Sequence, residues 1–95
     1  MAEKIVWCLQ ALEHLKAVAN HISATSETAG DQAVARILDA VRWRDSYPEM
    51  GTVRPEFADG EVREILVERW RVIYWIRSIR IDVIDILESR KCWRG

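Results

Sequence analysis

VREILVERWRVIYWIRSIRIDVIDIL, residues 62–87, is dense in β-branched and aromatic side chains, the chemistry of strands rather than helices. Two polar breaks, Glu68-Arg69 and Arg77-Ser78-Ile79-Arg80, divide it into three runs. Three short runs with tight joints predict an antiparallel meander. In the middle run, Trp70 to Arg77, Val72, Tyr74 and Ile76 fall on one face, and Arg71, Ile73, Trp75 and Arg77 on the other. The first face is pure core. The second mixes apolar mass with two guanidinium groups. Arginines beside aromatics suit a phosphate or a carboxylate-rich partner, and the simpler reading is that they solvate that face. Neither joint carries the Gly or Asn of tight hairpins, so a bulge or slightly longer turns are expected there.

Upstream, KIVWC (Lys4 to Cys8) is short and rich in strand formers, and fits a first strand. Leu12, Leu15, Ala19 and Ile22 then recur at spacings of three and four, predicting a helix from about Gln10 to Ala24. Ser26 or Thr28 can cap a second helix running to about Asp45, whose stripe is Ala33, Val34, Ile37, Leu38 and Val41. Pro48 cannot continue it. The two helices form an αα-hairpin. Tyr47 to Gly60, YPEMGTVRPEFADG, holds both prolines and reads as a surface loop of a length that is often functional. The predicted fold is therefore α+β, a single small domain of order β-α-α-β-β-β. In it a four-stranded sheet takes up the first strand by a long crossover, with the helical hairpin on one face.

The chain of 95 residues accommodates one domain. With 49% hydrophobic and 31% charged residues it has the composition of a soluble globular domain. The formal net charge of −1 builds in no long-range attraction to nucleic acid. Basic residues crowd the C-terminal end, where Arg90, Lys91 and Arg94 stand in the last six positions. Cys8 and Cys92 lie far apart with no CxxC. A disulfide between them is possible, and two reduced thiols in a cytoplasmic protein are the preferred reading. No apolar run reaches the length of a membrane span and the N-terminus lacks a signal-peptide pattern, so neither membrane nor export is expected.

His14 and His21 sit two helical turns apart, about 10 Å of rise, too far for one metal ion. They read as solvated histidines, and no metal or cofactor is expected. Asp82 and Asp85, three apart on a strand, fall on opposite faces and make a poor acid/base pair. No Gly-rich phosphate loop or nucleophile motif is present. Trp7 and Trp70 read as core or core edge. Trp75 on the mixed face and Trp93 in the basic tail are the candidates for stacking on a base or a partner.

Taken in order, YPEMG, VREILV, WRVIYWI and DILESRK, with VWCLQALEHLKAVANHI ahead of them, resemble the RelE/ParE superfamily of bacterial type II toxin–antitoxin toxins over nearly the whole chain. The resemblance implies a cognate antitoxin as partner and one of two activities. RelE-like members cut mRNA on the ribosome with Lys, Arg and Tyr side chains, whereas ParE-like members poison DNA gyrase. Arg63 and Arg71 fall where the nuclease branch places basic residues, and Arg90 or Lys91 falls near its C-terminal arginine. The tail tyrosine and a second lysine of that set are missing, and Glu88 replaces a His common in the ParE-like tail. Metal-free RNA cleavage needs an acid/base pair as well as cations, and an arginine, which stays protonated, is a poor base. The ParE-like reading is preferred. The alternatives are a ribosome-dependent mRNA endoribonuclease using Arg63, Arg71, Arg90 and Lys91, and an inactive relic that only binds its antitoxin. The binding residues for target or antitoxin are expected among Arg63, Arg71, Trp75, Arg77, Arg90, Lys91, Trp93 and Arg94. The antitoxin is expected in the groove between the hairpin and the sheet, reaching a face shared by Arg63 and Arg71.

Overall fold

The computed structural model describes residues 5–24, 26–46, 51–53, 61–77 and 80–88. The element order is β1 (Ile5–Trp7), α1 (Leu9–Ser23), α2 (Glu27–Ser46), β2 (Thr52–Val53), β3 (Val62–Val67), β4 (Trp70–Ile76) and β5 (Ile81–Glu88). The meander and the αα-hairpin stand where the residue pattern places them. The sheet order is β1-β5-β4-β3-β2, with β1 parallel to β5 and the other pairs antiparallel. The long crossover through the hairpin thus delivers the first strand beside the last one, as a parallel pair requires. The sheet has five strands rather than four, because Thr52–Val53, read as loop, pairs with Arg63 and Glu64 at the sheet edge. Two residues carry no periodicity from which a strand is legible.

Both helices lie on one face, α1 over β5 and α2 over β3. The core joins Ala11, Leu15, Val18, Ile37 and Val41 of the helices to Ile65, Trp70, Val72, Tyr74, Ile81, Val83 and Ile86 of the strands. Val72 is fully buried. Each such aliphatic side chain contributes about 1.5–3 kcal/mol by leaving water. On α1 the buried positions are Ala11, Leu15 and Val18, with Ile22 half-buried against them, so the stripe is rotated by one residue from the expected one and Leu12 is exposed. Leu38 of α2 is likewise exposed. Ile73, expected on the mixed face and paired with Glu64 of β3 and Asp85 of β5, is fully buried.

Ser26 caps α2, its Oγ accepting from the Ala29 N–H at 3.3 Å. Gly30 is where the two helices touch. A Cβ there would lie 2.1 Å from Ser23 Oγ and 3.0 Å from Ala19 O, which outweighs the helix propensity that glycine forfeits.

The β3–β4 joint is tighter than expected. Val67 pairs with Trp70, so Glu68 and Arg69 alone make the turn, and Glu68 takes φ 57°. That left-handed conformation is the reason hairpin turns favour glycine or asparagine. The expected irregularity occurs instead inside β5. Ile73 pairs with Asp85 and Tyr74 with Val83, leaving Ile84 as the extra residue of a bulge.

Candidate functional site

Strand register decides which basic residues meet. Residues directly opposite in an antiparallel pair share a face. Arg63 stands opposite Tyr74, and Arg71 opposite Leu66. Tyr74 and Arg71 are an odd number of residues apart on one unbroken strand, so Arg63 and Arg71 lie on opposite faces of the sheet. The single face expected to carry both does not exist.

Arg63 belongs to the helix side. Its Nη1 donates to the carbonyl of Gly51 at 3.1 Å, while the Gly51 N–H donates to Tyr74 Oη at 3.0 Å. Arg63 and Tyr74 together hold the backbone of Gly51, the last residue of YPEMG, against the sheet. A Cβ on Gly51 would lie 2.2 Å from Tyr74 Oη and 2.9 Å from the Glu64 carbonyl oxygen. Only glycine admits that approach.

Arg71 belongs to the face opposite the two helices. Its Nε is 3.9 Å from Glu64 Oε2, the outer limit of an ion pair. Leu66 beside it is 65% exposed. Thr52, Glu64, Leu66 and Arg71 line a depression of about 240 Å³. Further along β4, Trp75 is exposed and carries the Arg77 guanidinium 4.5 Å from its ring centroid, a cation–π contact. Asp82, buried beneath, takes both Arg77 Nη1 at 3.3 Å and Arg80 Nε at 2.9 Å. Arg90, Lys91, Trp93 and Arg94 lie outside the described residues.

On the helix side a cluster emerged that the sequence did not disclose. Asp85, 3% exposed, receives Gln10 Nε2 at 2.9 Å, the Ile86 N–H at 2.8 Å and His14 Nδ1 at 2.5 Å. A carboxylate oxygen accepts, so Nδ1 of His14 is the donor in this contact. His14 is therefore an anchored residue and not a merely solvated one. It lines a cleft of about 260 Å³ with Val18, His21, Trp70, Ile86 and Glu88. The indole N–H of Trp70, buried at this corner, has no hydrogen-bond partner among the described residues. Asp82 and Asp85 do work against different neighbours, Asp82 with the outer arginines and Asp85 with α1. No helix among the described residues is long and apolar enough to cross a membrane, and Cys8 is a free thiol.

An αα-hairpin on one face of a mixed five-stranded sheet, with a glycine clamped by a sheet arginine and tyrosine, defines a small α+β domain. The family model "ParE toxin of type II toxin-antitoxin system, parDE" matches residues 5–93, and the chain belongs to that family. A solved structure titled "Chromosomal ParDE TA system from P. aeruginosa" superposes with a TM-score of 0.78 at 20% identity, covering 95% of this chain and 98% of that one. At that identity the likeness shows the fold. The sequence matches no curated protein significantly.

Proposed function

We propose that the chain is a growth-inhibiting toxin that poisons DNA gyrase in the cytoplasm and is neutralised by a cognate antitoxin. The observation that carries the reading is the match to the ParE toxin model over residues 5–93. Register adds support against nuclease chemistry. A scissile phosphate needs its cations convergent, whereas Arg63 and Arg71 stand on opposite faces, and Arg63 is committed to the Gly51 carbonyl.

Purified toxin is tested on gyrase supercoiling and, in parallel, on mRNA in translating ribosomes. Blocked supercoiling or trapped cleaved DNA, with mRNA intact, is the expected result. Cut mRNA with gyrase unaffected sinks this reading in favour of a ribosome-dependent endoribonuclease. Neither activity, with antitoxin still bound, identifies an inactive relic.

A further inference from the structure

We propose that the cleft between α1 and the β4–β5 corner binds a neutral, flat molecule with a lactam edge, guanine being the best fit. The cleft holds about 260 Å³ and is lined by His14, Val18, His21, Trp70, Ile86 and Glu88. That is below the ~300–1,000 Å³ of drug-sized ligand pockets and suits a single ring system. Trp70 is 7% exposed, yet its indole N–H has no hydrogen-bond partner among the described residues. A buried donor left unpaired is costly, and an acceptor brought by a ligand relieves that cost. Glu88 stands directly opposite Trp70 across the β4–β5 ladder, so the two side chains are neighbours on one sheet face. The Glu88 carboxylate takes part in no hydrogen bond or ion pair among the described residues.

Charge selects the ligand. Glu88 on the lining and Asp85 bonded to His14 oppose an anion, and the Arg69 guanidinium, 5.9 Å from the Trp70 ring centroid, opposes a cation. The remaining class is neutral, with an acceptor for the Trp70 N–H beside donors for Glu88. A carbonyl next to a ring N–H, the lactam edge, presents that pair. Guanine adds an exocyclic amine, so two N–H groups meet the two carboxylate oxygens while its carbonyl oxygen meets the indole. Such bidentate contacts to a charged acceptor are the strong ones. Adenine and cytosine offer one donor beside one acceptor, and uracil turns a second carbonyl onto the carboxylate. Val18 and Ile86 supply apolar contact for the ring, and His14 and His21 carry side chains of a kind on which bases stack. Because the Trp70 N–H is shielded from water, Glu88 or His21 swings aside as the base enters.

The test follows the assigned Trp70 indole N–H resonance of the full chain by proton–nitrogen NMR while guanosine is added, with adenosine and uridine as controls. Guanosine is expected to shift that resonance saturably and to bind at least about 10-fold tighter than either control. Glu88→Gln keeps the shape and loses the charged acceptor, and is expected to weaken guanosine about 10- to 100-fold, with a thermal melt showing the variant folded. The base arrives either free or within a strand, so a single-stranded tetranucleotide with one guanine is titrated beside the nucleoside. Tighter binding of the strand assigns the source to nucleic acid, and equal or weaker binding assigns it to the free nucleoside. An unmoved Trp70 resonance at millimolar guanosine, equal binding of the three nucleosides, or full affinity in Glu88→Gln overturns the site. Gyrase inhibition and antitoxin binding are assayed separately and stand or fall independently of this titration.

Discussion

Arg63 and Arg71 lie on opposite faces of one sheet, although both project from its central hairpin. Arg63 faces the helices and holds Gly51, while Arg71 faces outward beside Leu66. Equal charge in the sequence therefore conceals two different jobs. Replacing Arg63 by Ala is expected to cost about 1.5–3 kcal/mol, the range for a charge-assisted hydrogen bond. Arg71→Ala is expected to change stability by less than about 1 kcal/mol, because a loose, partly exposed pair is worth little. Urea denaturation of the two variants checks the contrast, and equal losses would refute it.

Gly51 is the other half of that clamp. Gly51→Ala places a methyl group against Tyr74 Oη and the Glu64 carbonyl oxygen, both closer than any real Cβ contact. The backbone must shift, at a cost of about 1–3 kcal/mol. Tyr74→Phe removes the acceptor of the Gly51 N–H, for about 1 kcal/mol. The phenol and the methyl group meet at one point, so the double variant is expected to lose less than the sum of the two. An additive result in a double-mutant cycle would show that they do not interact.

Glu68 is strained where glycine would rest. Its φ of 57° costs a side-chain-bearing residue about 1–2 kcal/mol. Its carboxylate takes Arg36 Nη1 at 2.7 Å, with both side chains about half exposed, and such a pair returns under about 1 kcal/mol. Glu68→Gly relieves the strain and loses the pair. Glycine's larger unfolded-state entropy offsets part of the gain. A net stabilisation of about 0.5 kcal/mol is expected, a rise of roughly 2–4 °C in melting temperature for a domain of this size. A lower melting temperature would mean that the Arg36 pair outweighs the strain.

The elements that periodicity can reveal were legible from the residues alone. The helices begin and end within about a residue of expectation, since apolar recurrence, the Ser26 cap and Pro48 all mark them. Strand alternation correctly set Val72 and Tyr74 inside and Trp75 outside. What alternation cannot give is register between strands. Whether Arg63 joins Arg71 depends on a two-residue turn at Glu68-Arg69, which the residue types argued against. The His14–Asp85 contact was equally hidden. It depends on packing α1 onto β5 across most of the chain's length and on a bulge at Ile84, and no short motif encodes either. The rotation of the α1 stripe that exposes Leu12 is smaller in kind, because Ala11 is a weak hydrophobic signal and Leu12 a strong one.

The last expectation concerns the tail, Arg90 to Gly95, which follows β5 and carries Arg90, Lys91, Trp93 and Arg94. Among the described residues the core is assembled from residues up to Ile86, and removing the tail is expected to leave the thermal melt nearly unchanged. Antitoxin affinity is expected to survive as well. Gyrase inhibition is expected to disappear, because three of the fourteen basic residues and an aromatic side chain go with the tail, and such a cluster suits an acidic or nucleic-acid-bearing target. Truncation is compared with Arg90→Ala/Lys91→Ala/Arg94→Ala and with Trp93→Ala in supercoiling and antitoxin-binding assays. Loss of inhibition in the triple variant alone assigns the tail's role to charge, and loss in Trp93→Ala alone assigns it to stacking or apolar contact. Full inhibition by the truncated chain would move the gyrase-binding surface back onto the folded domain, where the α1 cleft around His14 and Trp70 becomes the next surface to vary.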